Sequence, residues 1–458
     1  MGRLIAISNR TAADPAARAG GLAVAVWDAL KSTGGAWFGW SGDLIETPSR
    51  TLKVLDDEGV EFVLTDLTHD EYEGYYLQYA NRVIWPVFHS RVDIAHFEHE
   101  AFEIYARVNE RIAGLVSGRL REDDQVWVHD YHFLLMGDAL RRAGWDGALG
   151  FFLHIPFPST DTFRALPEHA RIARALCAFD VVGVQSDGDR AHLAQYLVDD
   201  CGGEELRNGR ISVFGKIVKV AAYPIGIDAQ AIERAAVSET AETAARRIGR
   251  FLGERRLIVG VDRMDYSKGL PQRFEAVGKL LDTYTEYHGK VSFTQIAPPS
   301  RSKVEEYREL RETLDGLAGR INGDYGDLDW IPIRYLARSY AREELAGVFR
   351  LADVGLVTPL RDGMNLVAKE YVMAQDPEDP GVLILSEFAG AAEQLTSALL
   401  VNPHDAMGVA ETVHQALSMS LTERKERWTA LRDVIVSKDI NWWRGLFLAD
   451  LEAARSEA

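Results

Sequence analysis

The chain has 458 residues, 47% of them hydrophobic and 26% charged, and a formal net charge of −18. That length exceeds what one core supports and predicts two or three domains; the acidic balance argues against nucleic acid or an anionic membrane as the main partner. Cys177 and Cys201 stand alone without metal-ligand spacing, and no stretch reaches the roughly 18 apolar residues of a membrane span, so reduced thiols and a cytoplasmic setting are expected.

Strand-like runs alternate with helical patterns, which predicts an α/β protein with parallel sheets built from βα units. Leu4–Ser8 reads as a first strand, too short for a signal peptide. Asn9-Arg10 ends it, and Gly20-Gly21 open an amphipathic helix over Leu22–Lys31. A glycine pair at a helix start lets the backbone approach a phosphate, although many helices that bind nothing begin the same way. Residues 37–100 are rich in Trp, Tyr and Phe, mostly core or lid packing. Val126–His132 reads as a strand ending in polar residues and Gly150–His154 repeats the design, so Asp130 and His154 fall at carboxyl ends of strands. A His/Asp metal site there lacks a third ligand at fitting spacing. Asp180–Gln185 and Val218–Tyr223 are further strands before Pro224-Ile225-Gly226, where a domain boundary is expected. The expected division is 1–227, 228–438 and a C-terminal helix over 439–458. Asp228–Gly253, charged and Ala-rich, reads as a connecting helix rather than core.

A second strand–helix series starts at Leu257–Val261. Arg263 and Lys268 leave the end of this strand together, just before a helix, and two cations there can neutralise a diphosphate. A solvated loop is the plainer alternative. Phe293–Ala297 is the next strand, with Arg301 after its Pro-Pro turn. Val354–Val357 suits a buried parallel strand, and a helix over Leu366–Gln375 stops before Pro377. Asp362-Gly363 lies in the turn between them, with Asn365 as N-cap. The helix N-terminus offers N–H groups to phosphate. Asp362 can accept hydroxyl hydrogen bonds, and Glu370 can reach a second diol such as a ribose. Phosphate plus two polyol readers is the outline of a nucleotide-sugar site. The tail Ile440–Arg455 places Trp443, Phe447 and Leu451 four residues apart, with Trp442 and Leu446 beside them, as one apolar face packing back on the body. No Gly-x-Gly-x-x-Gly turn follows a strand, which argues against a dehydrogenase.

Taken together, Ser8-Asn9-Arg10 with Gly20-Gly21-Leu22, Trp85–His89, His129–His132, His154–Pro158, Arg263–Gly269 and Pro359–Glu370 resemble the trehalose-6-phosphate synthase family, glycosyltransferase family 20. The matches run in order over nearly the whole chain. The resemblance implies a GT-B fold: two Rossmann-like domains facing a cleft, with a C-terminal helix crossing back to the first. It also implies retaining transfer of glucose from a nucleotide-glucose to glucose 6-phosphate, with no metal or other cofactor, by a cytoplasmic homo-oligomer (dimer or tetramer). Arg263 and Lys268 resemble the holders of the diphosphate. Leu366, Val367, Ala368 and Lys369 resemble the helix-end support, Glu370 the ribose reader, Tyr340 a further donor contact, and Asp362 a glucose-hydroxyl reader. His154 matches a contact to the transferred glucose, and Gly20 and Gly21 match backbone donors to phosphate. Arg10, Tyr76 and Arg301 match acceptor-phosphate contacts, Trp85 and Asp130 line the acceptor sugar, and Ile155 beside Trp85 matches a position selecting the acceptor anomer. The family resemblance favours front-face attack, while Asp130 and Asp362 stay candidates for a double-displacement nucleophile. A sister activity with glycerol 3-phosphate as acceptor is the alternative, and no residue fixes uridine over adenosine or guanosine.

Overall fold

The computed structural model describes residues 2–13, 26–27, 29–31, 34–49, 51–300 and 305–457. It divides into two compact units, Met1–Ile225 with Ile440–Ala458, and Gly226–Asp439. Each is built on its own sheet, as the α/β alternation predicts.

The first sheet holds β1 (Leu4–Arg10), β2 (Ala36–Ile45), β3 (Lys53–Asp57), β4 (Val60–Thr68), β5 (Gln125–His129), β6 (Leu149–Phe152), β7 (Val181–Val184), β8 (Glu204–Glu205), β9 (Arg210–Val213) and β10 (Lys216–Ala222). Their order is β3-β4-β2-β1-β5-β6-β7-β10-β9-β8. The run from β4 to β10 is parallel, and antiparallel strands close both edges. Leu4, Ile5, Ala6 and Ile7 are all buried, the continuous apolar run of a strand covered on both faces. The chain builds outward from β1 through β2 to β4, then returns to the other side of β1 with β5. That reversal opens a crevice at the carboxyl ends of β1 and β5, the usual ligand position in such sheets.

The second sheet is wholly parallel: β11 (Arg256–Val261), β12 (Val291–Ile296), β13 (Ile333–Leu336), β14 (Val354–Val357), β15 (Val382–Ser386) and β16 (Leu399–Val401). Its order, β13-β12-β11-β14-β15-β16, is that of a doubly wound dinucleotide-binding sheet. Here the reversal lies between β11 and β14, the strands that end in Asp262-Arg263 and in the turn to Asp362.

Two readings of the sequence need correction. Asp228–Gly253 is not a connector: it forms two helices, Ala229–Ala236 and Glu239–Leu252, both packed on the helix Arg342–Leu351. Their buried faces are mostly alanine, Ala229, Ala236, Ala241 and Ala244 beside Ile232 and Leu252, and the alanines hide in a charged pattern. The approach is so close that a Cβ on Gly347 would meet the Ala241 carbonyl oxygen at 2.2 Å. In the tail helix Ile440–Glu457, Trp443, Phe447 and Leu451 are fully buried, but Leu446 is 39% exposed. The apolar stripe is thus narrower than expected, because successive residues rotate by about 100° around the helix. Phe447 stacks on Trp127 at 4.7 Å and covers Gly150 and Gly183, where an added Cβ would meet its ring at 2.9 Å.

Candidate functional site

In the second unit the crevice between β11 and β14 gathers most of the expected donor residues. Arg263 is exposed at the end of β11, where Asp262 N donates to Ile296 O and Met264 N to Pro298 O. A single turn, Tyr266–Lys268, follows, capped by the Asp265 side chain. Gly269 closes it at φ +65°; there a Cβ would strike the Thr358 carbonyl at 2.4 Å, so this turn needs glycine twice over. Lys268 is thereby aimed across the crevice, and its Nζ donates to Asp362 Oδ2 at 2.6 Å, with the two side chains only 10% and 14% exposed. The Asp362 backbone is pinned in turn, donating to Phe388 O and accepting from Gly390 N.

Asn365 adopts φ +69°, a left-handed conformation that asparagine tolerates better than most residues, and its side chain caps the helix Leu366–Ala374 by accepting from Ala368 N. Its Nδ2 donates to Asp362 Oδ2 at 3.0 Å. Leu366 and Val367 lead the helix, and N–H groups at such positions have no partner within it. Glu370 is half-buried, and that burial raises its carboxyl above the usual range, opposed by the Arg342 guanidinium. Ala368 and Lys369 are buried, and Lys369 Nζ donates to Gln394 Oε1 at 2.7 Å, which turns the amine into the unit. Burial depresses that amine to about 7. Tyr340 lines a cavity of about 90 Å³ with Ile296 and Leu336, the last residues of β12 and β13. Those two apolar strand ends carry no polar signature, so the sequence did not single them out.

In the first unit, β5 stops at His129 and Asp130 turns to φ +74°, a sparsely populated conformation held by Asp130 N donating to Phe152 O. The expected strand through His132 therefore ends three residues early, in a single turn over Tyr131–Phe133. Asp130 Oδ1 accepts from the backbone N–H of His154, and His154 Nε2 lies 3.2 Å from His129 Nδ1. Burial pushes His154 down to about 3 and His129 well below its ordinary value, so both rings are neutral and one donates to the other. Ile155 is buried beside His154 in the chain.

Across this crevice, at the end of β1, the Arg10 guanidinium lies 4.8 Å over the Trp40 ring. Gly42 gives it room: a Cβ there would come within 2.5 Å of Arg10 Nη1. Tyr76 packs on Trp40 at 5.9 Å and stacks on His132 at 5.7 Å. It is carried by Tyr72–Ile84, wound as a π-helix, a form concentrated at functional sites. That segment runs into Trp85–Phe88, whose Trp85 ring packs against His89 at 4.3 Å and Tyr131 at 5.5 Å. Gly20, Gly21 and Arg301 lie outside the described residues. Among the described residues no three His, Cys, Asp or Glu side chains group as a metal site, and no helix is long and apolar enough to cross a membrane.

Two Rossmann-like units, one carrying cations, a helix N-terminus and two carboxylates at its switch point, define a nucleotide-sugar transferase class. The model of glycosyltransferase family 20 matches residues 6–453, and the chain belongs to that family. A trehalose-6-phosphate synthase of Sodalis glossinidius is 46% identical over 460 residues, covering 100% of this chain and 97% of that one. The crystal structure of an alpha,alpha-trehalose-phosphate synthase (UDP-forming) from Burkholderia vietnamiensis matches with TM-score 0.97 and 47% identity, over 100% of this chain and 98% of that chain. A UDP-forming enzyme of the same kind from Burkholderia xenovorans, in complex with glucose-6-phosphate, matches with TM-score 0.95 and 47% identity, over 98% and 100% of the two chains.

Proposed function

We propose that the chain is a retaining glucosyltransferase that moves glucose from UDP-glucose to glucose 6-phosphate, releasing UDP and α,α-trehalose 6-phosphate. The observation that carries this reading is the Lys268–Asp362 pair, 2.6 Å apart at the carboxyl ends of β11 and β14 and beside a helix N-terminus. The names of the Burkholderia relatives, UDP-forming and bound to glucose-6-phosphate, support the choice of donor nucleotide and acceptor.

In this reading Arg263, Lys268 and the N–H groups of Leu366 and Val367 meet the diphosphate, with Gly20 and Gly21 as further backbone donors. Glu370 takes the ribose, and Tyr340, Ile296 and Leu336 receive the base. Asp362 and His154 hold the transferred glucose. Arg10, Tyr76 and Arg301 hold the acceptor phosphate, Trp85 and Asp130 its sugar, and Ile155 with Trp85 selects the anomer. As the C–O bond breaks, negative charge grows on the diphosphate and the glucosyl ring becomes oxocarbenium-like. Fixed cations and N–H dipoles stabilise that state more than the ground state. Asp362 Oδ2 is already engaged by Lys268 and Asn365, and Asp130 Oδ1 by the His154 N–H. Carboxylates held this way suit hydroxyl binding better than nucleophilic attack, which favours a front-face route with the leaving phosphate accepting the acceptor's proton. The two cations supply the charge a metal would otherwise bring, so turnover is expected to persist in EDTA; complete loss restored by Mg²⁺ overturns this. We further assign the chain to the cytoplasm as a homo-oligomer with acceptor-side and donor-side domains.

The test is product formation with UDP-, ADP- and GDP-glucose against glucose 6-phosphate and glycerol 3-phosphate. Efficient turnover of UDP-glucose with glucose 6-phosphate is expected. Turnover with glycerol 3-phosphate alone, or no release of nucleoside diphosphate, refutes the reading.

A further inference from the structure

Beneath the proposed diphosphate site sits a charged group that the reaction as described does not use. Arg273, in the helix Leu270–Thr283, has a side chain with no exposure and touches four strands or turns of the crevice. Its Nη1 donates to Asp262 Oδ2 and to Gln295 Oε1, both at 2.9 Å, its Nε donates to Thr358 Oγ1 at 3.0 Å, and its Nη2 donates to the Lys268 carbonyl at 3.3 Å. Those partners lie after β11, in β12, after β14 and in the turn that carries Lys268. The contacts continue into a closed ring. Asn365 Nδ2 reaches Asp262 Oδ1 at 3.5 Å and Asp362 Oδ2 at 3.0 Å, and Asp362 Oδ2 accepts from Lys268 Nζ. The sheet leaves space for the guanidinium: a Cβ on Gly260 would come within 2.5 Å of Gln295 Oε1 and 2.7 Å of Arg273 Nη1.

A guanidinium is the one side chain that can serve this junction, because its planar fork presents donors in three fixed directions and stays charged when buried. We propose that Arg273 is a positioning residue: without touching substrate, it sets the Lys268 turn against the Asp362–Asn365 turn, and so fixes where the ammonium and the carboxylate stand relative to the departing diphosphate. The idea rests on the leaving-group role given to Lys268 above.

The test combines Arg273→Lys, which keeps the charge but loses the fork, with Gly260→Ala, which crowds the guanidinium if the first variant folds poorly. Three readouts are taken on the full-length protein: trace acetylation of Lys268 by acetic anhydride against Lys53 and Lys279 as references, kcat with donor KM, and melting temperature. Acetylation of Lys268 is expected to rise several-fold as its pairing loosens. A displacement near 1 Å can cost about 100-fold in rate, so kcat is expected to fall about 10–100-fold with donor KM within about threefold. In a Lys268→Met background the same Arg273→Lys change is expected to cost clearly less than in the wild type, the remaining loss coming through Asp362. Unchanged Lys268 acetylation in both variants, or the full multiplicative loss in the Lys268→Met background, overturns the inference. Raised acetylation with intact kcat keeps the positioning and overturns the leaving-group role instead.

Discussion

Replacing Lys268 by methionine tests the charge argument at its centre, because methionine keeps most of the apolar stem and removes the ammonium. With Lys268 and Asp362 side chains 10% and 14% exposed, solvent screens the site weakly. A unit charge about 4 Å from a phosphate oxygen contributes about 4 kcal/mol at an effective dielectric near 20. Part of that acts equally on bound donor and transition state, which leaves about 2–4 kcal/mol for the reaction itself, or roughly 30–1000-fold in kcat. Stability changes too: among the described residues Asp362 then keeps the uncharged Asn365 amide as its side-chain donor, and losing a hydrogen bond to a charged group costs about 1.5–3 kcal/mol. Adding Asp362→Asn should therefore recover melting temperature in Lys268→Met while leaving kcat low. Nucleoside diphosphate release at saturating donor measures kcat, and thermal melts measure the fold. A kcat within about threefold of wild type in folded Lys268→Met refutes the reasoning.

Lys369 should make stability pH-dependent: its folded value of about 7 lies below that of the unfolded chain, which binds more protons between the two, so stability rises as pH increases from 7 to 9. Lys369→Met should abolish that rise in urea melts at the two pH values. His154, depressed to about 3, works in the same sense lower down: the unfolded chain protonates first as pH falls below about 6.5, so stability declines from there towards pH 4. His154→Gln should flatten that decline, and an unchanged slope refutes the neutral pair with His129. Arg10→Met should raise KM for glucose 6-phosphate at least about tenfold, the value of one charged contact of about 1.5–3 kcal/mol, with donor KM nearly unchanged. Equal effects on both KM values would remove Arg10 from the acceptor side.

What the sequence made legible was backbone punctuation. Val354–Val357 followed by Asp362-Gly363 and Asn365 reads directly as strand, turn and capped helix, and those elements stand where the pattern puts them. Arg273 was invisible for the opposite reason. It occupies an ordinary position in an amphipathic helix, and only the neighbours brought by three separate strands turn it into a buried junction. Tyr76 and Trp85 could be picked from an aromatic-rich stretch only through family resemblance, since nothing in the spacing of Tyr72–Ile84 announces a π-helix. The Ala-rich segment after residue 228 was misjudged because alanine buries itself by allowing close backbone approach rather than by hydrophobic bulk. The single-residue break at Asp130 was hidden too, since φ +74° is a tertiary outcome that no local propensity records.

The seating of Trp443, Phe447 and Leu451 against the first sheet has a consequence for how the protein is made. The first unit is discontinuous, and its last helix is synthesised only after the whole of Gly226–Asp439. At translation rates of about 5–20 residues per second, Gly226–Asp439 alone takes roughly 10–40 s, so Trp127, Phe152 and Tyr223 wait at least that long before Phe447 arrives to cover them. The second unit, continuous in sequence, can complete its core during that interval. Synthesis thus inverts the order of the chain: the unit that begins first finishes last. A nascent chain stopped short of Ile440 would present an uncovered aromatic surface over Gly150 and Gly183, the kind that holdase chaperones bind.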